Sequence, residues 1–195
     1  MVDVLQLATF VVILVIGVAW YLSYSAARLD RLHAKVEGAM SALDAALVRR
    51  AEVALELANS GVLDPASALL IADAATESIE RTTEQPVTDD LLDGQHFGGR
   101  EQVESDLSQA LRAALSSEVV VDLRERDEDL VAESLDRVAA SGLRVQLARR
   151  FHNDATREVR RVRAKRSVRL FRLWGYAELP QPVVFDDELP PTLTV

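Results

Sequence analysis

Hydrophobic positions along this chain follow two different rhythms. From Val4 to Ala27 it reads VLQLATFVVILVIGVAWYLSYSAA, 24 residues without a charge. From Leu29 onward, apolar residues instead recur every three or four positions. Leu29, Leu32, Val36, Ala39, Leu43, Ala46, Val53 and Leu57 form that series, with Arg50 its only polar member. Such spacing marks a helix packed along one face, as in a coiled coil. No proline precedes Pro65, and Gly38 lies off the seam. The pattern therefore predicts one unbroken rod from Val4 to Ala58, roughly 80 Å long at 1.5 Å per residue.

Asn59-Ser60-Gly61 supplies a stop, because glycine suits the left-handed position after a helix. Asp64-Pro65 supplies a restart, an N-capping carboxylate followed by proline at the first helical position. A second helix is predicted from Pro65 to about Thr83, with Leu69, Ala72, Ala75 and Ile79 on its apolar side. Pro86 limits it. Residues 84–99 (EQPVTDDLLDGQHFGG) show no period and read as a loop. A third helix begins near Arg100 and carries Val103, Leu107, Ala110, Leu111 and Ala114. The β-branched Val119-Val120-Val121 either ends it or is buried, and residues 124–129 read as a charged turn.

A fourth, long helix shows Val131, Leu135, Val138, Gly142, Val145, Ala148, Phe151, Ala155, Val159 and Val162 at steps of three and four. Glycine inside a helix costs about 1 kcal/mol against alanine, so Gly142 marks a close contact or a bend. Ser167 to Ala177 reads as a short amphipathic stretch, with Val168, Phe171 and Trp174 three apart. Pro180, Pro182, Pro190 and Pro191 predict an extended tail. The expected fold is all-α: a single N-terminal transmembrane helix continuing into an antiparallel up-and-down bundle of about four helices. The expected divisions are an anchor at 1–27, a helical bundle at 28–178 and the proline-containing tail at 179–195. With aromatics at 5% of the chain, the core must be built of aliphatic residues, which suits packed helices.

The segment Leu5 to Leu22 is about 27 Å long as a helix, close to the ~30 Å hydrocarbon layer of a bilayer. Leu5, Phe10, Ile13, Leu14, Ile16, Trp20, Tyr21 and Leu22 are the candidate anchor residues, with Trp20, Tyr21 and Tyr24 as an interfacial belt. A cleaved signal is the alternative, since Ser25-Ala26-Ala27 resembles a cleavage triplet. Against it, Met1-Val2-Asp3 lacks a basic start, and the apolar stretch is longer than a signal peptide's. Arg28, Arg31 and Lys35 flank only the C-terminal side. The expected topology is a single pass through the cell (plasma) membrane, N-terminus outside and the large domain cytoplasmic. Ala19, Ser23 and Ala27 add a weak small-xxx-small face that could pair anchors.

Charge and chemistry narrow the function. The net charge is −9, yet the cations gather near the end: Arg157, Arg160, Arg161, Arg163, Lys165, Arg166, Arg169 and Arg172, with only Glu158 among them. Three readings fit: a solvated face paired with acidic neighbours, contact with anionic lipid, or nucleic-acid binding. Nucleic acid is disfavoured because Phe171 and Trp174 are the only aromatics in the stretch. The absence of cysteine removes disulfides, thiolate ligands and cysteine nucleophiles.

His33, His96 and His152 lie on separate elements, and Asp89, Asp90 and Asp93 lack the spacing of a calcium loop. Gly94, Gly98 and Gly99 precede no Gly-Lys-Ser/Thr, and no Gly-x-Ser-x-Gly occurs. No catalytic, metal or cofactor-binding residue is assigned, and no cofactor is expected. Arg50 sits on the apolar seam, where a buried guanidinium must be paired. The expectation is a bridge to an acid on a neighbouring helix, with ligand binding as the alternative.

Two stretches together resemble the LemA family of bacterial membrane-anchored proteins. One is Val36-Glu37-Gly38-Ala39-Met40-Ser41-Ala42-Leu43-Asp44-Ala45-Ala46-Leu47-Val48-Arg49-Arg50, just after the anchor. The other is Ala148-Arg149-Arg150-Phe151-His152-Asn153-Asp154-Ala155, and Gly175-Tyr176 with Phe185-Asp186 is similar to the family's ending. As a divergent member, the chain would have an N-out anchor, a cytoplasmic helical bundle and no established active site. Asp44, Arg49, Arg50 and Asn153 fall on the similar positions and are expected to be structural ties between helices. The expected function is a membrane-tethered, non-enzymatic scaffold with protein partners. Anionic-lipid or nucleic-acid binding through Arg157–Arg172, and an enzyme whose site the sequence does not reveal, are the alternatives.

Overall fold

The computed structural model describes residues 2–84, 86, 97, 99–126 and 129–193, with side chains from Val4 onward. The expected loop at 84–99, with Asp89, Asp90, Asp93, Gly94, His96 and Gly98, lies mostly outside the described residues. The described chain is helical without strands: α1 (Val2–Asn59), α2 (Pro65–Glu84), α3 (Arg100–Ala114), α4 (Ser117–Glu125), α5 (Asp129–Arg163), α6 (Arg166–Leu170) and a 3-10 turn at Pro191–Leu193.

The rod is real: α1 runs unbroken through the apolar segment into the body. Ser60 N–H donates to the Leu57 carbonyl (3.2 Å) and Gly61 turns at φ 75°, closing the helix. Asp64 then caps α2, accepting from the amides of Ala66 (3.0 Å) and Ser67 (3.1 Å). The buried seam of α1 is wider than expected. Met40 and Leu47 are buried where Ala39 and Ala46 were expected, and these alanines are half-buried. The reason is that α1 packs against both α5 and α2, which demands more than a single coiled-coil stripe.

Ion pairs join Lys35 to Glu158 and Glu56 to Arg137, so α1 and α5 run in opposite directions. The core falls into three clusters along this pair. The one farthest from the apolar half of α1 is the thickest, with Ala54 and Leu57 of α1, Ile71 and Ala75 of α2, Leu107 and Leu111 of α3, and Leu135 and Val138 of α5. A middle cluster holds Met40, Leu43, Leu47, Phe97, Val145, Val183 and Phe185. Nearest the apolar half of α1, Leu29, Leu32 and Val36 meet Ala155, Val159, Val162 and Val168.

Two expectations are corrected, and one open alternative is resolved. Val119–Val121 belongs to a separate helix, α4, which Ser116 caps at the amide of Val119 (3.4 Å), and Val120 of the three is buried. On α5, His152 turns inward and Phe151 is 62% exposed, the reverse of the expected seam. The amphipathic stretch expected at Ser167–Ala177 is helical only to Leu170. There Leu173 N–H reaches the Val168 carbonyl (3.2 Å) and Arg172 N–H the Arg169 carbonyl (3.4 Å), with Arg172 at φ 46°. This is a Schellman stop with arginine in the place glycine usually takes. Val168 and Leu173 make its apolar contact in the core cluster nearest the apolar half of α1.

Residues 177–190 form an extended strap along the helices. Its buried residues are Ala177, Pro180, Val183, Phe185, Leu189 and Pro190, while Val184 faces out. Its backbone groups find side chains instead of a sheet. Asn153 holds Val183 in both directions, Nδ2 to the carbonyl and Oδ1 from the amide, each at 2.9 Å. Gln146 donates to the Asp187 carbonyl (2.8 Å), Arg163 to that of Glu178 (2.6 Å) and Ser108 to that of Asp186 (2.7 Å). Gly142 explains itself here: a Cβ on it would stand 2.2 Å from Leu189 Cδ2.

Two outcomes follow from these contacts. Gly142→Val pushes Leu189 off α5, so limited proteolysis within 177–190 speeds up at least several-fold while far-UV helicity stays. Arg172→Gly removes a left-handed strain of roughly 1 kcal/mol, and a thermal melt shifts upward by a few degrees.

Candidate functional site

Two polar regions stand out, one buried and one facing the apolar half of α1. The buried one is built where the middle and distal cores meet. Arg50 Nη2 donates to Glu104 Oε2 (2.7 Å) and to the Glu104 carbonyl (3.0 Å), and Arg50 Nη1 to Ser108 Oγ (2.9 Å). Ser78 Oγ of α2 donates to Glu104 Oε1 (3.0 Å). Arg100, 1% exposed, pairs with Asp44 and lies 3.6 Å from Glu104. Two guanidinium groups thus face two carboxylates, contributed by α1 and α3. Phe97 and Phe185, stacked with centroids 6.0 Å apart, cover them: Arg100 lies 5.2 Å from the Phe97 ring and Arg50 6.0 Å from the Phe185 ring. Glu104 is 0% exposed, Arg100 1% and Arg50 3%, while Asp44 at the edge of the network is 30% exposed, and the groups tie α1 to α3.

The expected motif residues divide along this line. Arg50 and Asp44 enter the buried network and Asn153 holds the strap. Arg49 faces out and pairs with Glu52 (3.0 Å) and Glu56 (3.7 Å). Sequence reasoning missed Glu104, Arg100 and Ser108. Their i, i+4 spacing on α3 was visible, and Glu104 is the acid that pairs with Arg50, but nothing in one sequence pairs them. It also missed Arg112, which binds Asp186 and holds that carboxyl below the ordinary carboxylate range.

The second region is the basic segment, and the structure sorts its members. Arg157 pairs with Asp154, a solvated contact one turn away. Arg160 donates to Gln181 Oε1 (3.0 Å), and Arg163 holds the strap while lying 5.0 Å over the Trp174 ring. Burial lowers the pKa of Arg163 from its ordinary value. Arg161, Lys165, Arg166, Arg169 and Arg172 form no ion pair among the described residues. Arg160, Arg163, Arg169, Trp174 and Leu179 line a shallow open cavity of about 350 Å³. The hydroxyls of Tyr21 and Ser167 meet at 3.1 Å, so α6 lies beside the last turns of the apolar segment. There Leu170 (78%), Phe171 and Tyr176 (96%) are exposed beside the cations.

The expected anchor residues Leu5, Phe10, Ile13, Leu14, Ile16, Trp20 and Tyr21 are all exposed, and Leu22 is half-buried. Trp20 and Tyr24 stack at 6.1 Å. Among the described residues no group of three His, Cys, Asp or Glu could hold a metal ion. No family model matches the chain, and no curated protein and no solved structure matches it.

The buried network sets two expected outcomes. Arg50→Met leaves Glu104 buried beside an apolar side chain and costs about 3–5 kcal/mol. Pairing it with Glu104→Gln recovers most of that loss in urea titrations, because the stranded charge is gone. His152 is 0% exposed, with Nε2 3.3 Å from the Gln181 carbonyl, and burial lowers its pKa below the ordinary 6.5. Below pH 6.5 the unfolded chain therefore binds more protons than the fold, and stability falls as pH falls. Melting temperature drops between pH 7 and 5, and His152→Gln flattens that slope.

Proposed function

We propose that the chain is a single-pass membrane-tethered scaffold of the kind the LemA resemblance implies. The apolar half of α1 crosses the cell membrane with its N-terminus outside. The body, an up-and-down helical bundle, presents its helices to protein partners in the cytoplasm. One observation carries this reading: an 18-residue window of α1 has mean hydropathy 2.3, and none of it is buried by the rest of the chain. A core helix of a soluble protein would be covered, and an exposed apolar rod of that length needs lipid around it. The flanking Arg28, Arg31 and Lys35 support the orientation. The resemblance draws support from its two segments packing together, Val36 in one cluster with Ala155 and Met40, Leu43 and Leu47 in another with Ala148.

The Tyr21–Ser167 contact favours a second reading, in which the basic end rests on anionic lipid. It puts Lys165, Arg166, Arg169 and Leu170 level with the interfacial aromatics Trp20 and Tyr21. Each cation near such a surface contributes about 1 kcal/mol, fading within a Debye length.

Both readings meet direct tests. Alkaline extraction leaves the full chain in the membrane pellet, and reporters fused to each end show the C-terminus inside; release into the supernatant refutes the anchor. In nanodiscs, hydrogen exchange across 165–176 slows with anionic lipid relative to zwitterionic lipid, and Arg166→Gln with Arg169→Gln removes the difference. Equal exchange in both lipids refutes lipid contact.

A further inference from the structure

The cavity between the end of α5, α6 and the start of the strap has three guanidinium groups on its walls and no carboxylate. Arg160 and Arg163 come from α5 and Arg169 from α6, while Trp174 and Leu179 supply apolar walls. Elsewhere in the fold, buried and half-buried arginines meet acids. Arg50 meets Glu104, Arg100 meets Asp44, Arg112 meets Asp186 and Arg149 meets Asp187. Arg160, Arg163 and Arg169 meet none among the described residues. Acids are not scarce, since the chain carries 31 Asp+Glu against 22 Lys+Arg.

Arg163 shows what this arrangement costs. It is half-buried, burial lowers its pKa, and no carboxylate raises it again. A cation withdrawn from water without a counter-charge is unfavourable, and an anion bound beside it would offset that cost. Two of the three arginines are also held in place. Arg163 Nη1 donates to the Glu178 carbonyl (2.6 Å), and its guanidinium lies 5.0 Å from the centre of the Trp174 ring. Arg160 Nη1 donates to Gln181 Oε1 (3.0 Å). A guanidinium carries five N–H donors, so these bonds fix the groups and leave donors for a ligand.

We propose that this cavity binds a phosphomonoester, with Arg160, Arg163 and Arg169 around its terminal oxygens and Trp174 and Leu179 against the group that carries it. A monoester presents three acceptor oxygens and close to two negative charges, which suits three guanidiniums. A diester has one charge and fewer free oxygens. Guanidinium and phosphate match through paired N–H bonds. The volume, about 350 Å³, falls within the roughly 300–1,000 Å³ of small-molecule sites. Lipid headgroups and soluble metabolites both carry this chemistry. The inference rests on the reading of the basic end as an anion-binding surface, and narrows it to one cavity and one kind of anion.

The chain has two tryptophans, so Trp20→Phe leaves Trp174 as a reporter inside the cavity. The full chain in a nonionic detergent is titrated with glycerol 3-phosphate and, in a second arm, with phosphatidic acid in the micelles. Glycerophosphoglycerol and phosphatidylglycerol are the matching diesters. The expected result is a saturable change in Trp174 fluorescence with a monoester, and about tenfold weaker binding of its diester. Arg169→Gln weakens the monoester about tenfold, the loss of one charge-assisted hydrogen bond. Its melting temperature is unchanged, since Arg169 is exposed and forms no ion pair among the described residues. Arg161→Gln removes the same charge from an exposed arginine outside the cavity and leaves the affinity nearly unchanged. Saturation by glycerol 3-phosphate assigns the cavity to a soluble ligand, and saturation by phosphatidic acid alone assigns it to a lipid headgroup. A flat titration in both arms, equal affinity for the diesters, or equal losses from Arg161→Gln and Arg169→Gln overturns the proposal. The lipid-contact reading fails separately, in the hydrogen exchange across 165–176, when phosphatidylglycerol is the anionic lipid and no monoester is present.

Discussion

Arg50 and Glu104 meet at 2.7 Å with 3% and 0% of their side chains exposed. Neither charge has water to fall back on, so each requires the other. That requirement fixes α3 against α1 at one height. Arg100 and Asp44 repeat the pairing two turns along, and Ser78 brings α2 to the same carboxylate. Apolar helix faces of leucine and alanine slide easily past one another. A polar pair in the middle allows only one register, which supplies uniqueness more than it supplies stability.

The strap depends on that register. Asp186 follows Phe185, whose ring covers the arginines, and the Asp186 carbonyl accepts from Ser108, itself bonded to Arg50. From there the strap runs along α5 toward the apolar half of α1, held by Asn153, His152, Arg160 and Arg163. Part of the basic segment therefore works inside the molecule. Among the cations without an ion pair, Lys165, Arg166 and Arg169 flank Ser167, which meets Tyr21 at the apolar end of α1. Compositional excess alone would have treated all eight alike.

How much of this was legible beforehand can be followed residue by residue. The 3–4 rhythm after Leu29, the Asn59-Ser60-Gly61 stop and the Asp64-Pro65 restart are local signals, and α1 and α2 follow them. The polar Arg50 on an apolar seam announced a buried partner without naming it. The end of α6 was hidden because its left-handed position holds Arg172 instead of glycine. Phe151 and His152 were exchanged because a rhythm of three and four leaves the width of the buried stripe undetermined. The strap replaces a covering helix on one side of α5 and draws His152 under it.

By itself the sequence determined the main helices α1, α2, α3 and α5, the stop after Asn59 and the apolar rod, since backbone geometry, capping and the length of an uncharged run are properties of neighbouring residues. Only the tertiary structure decided which acid balances Arg50, why Gly142 must be small, and which arginines are left over. Those depend on atoms brought together across 30 to 70 residues of chain, such as Arg50 with Glu104 (54 apart) and Arg149 with Asp187 (38 apart), and no local rhythm encodes them.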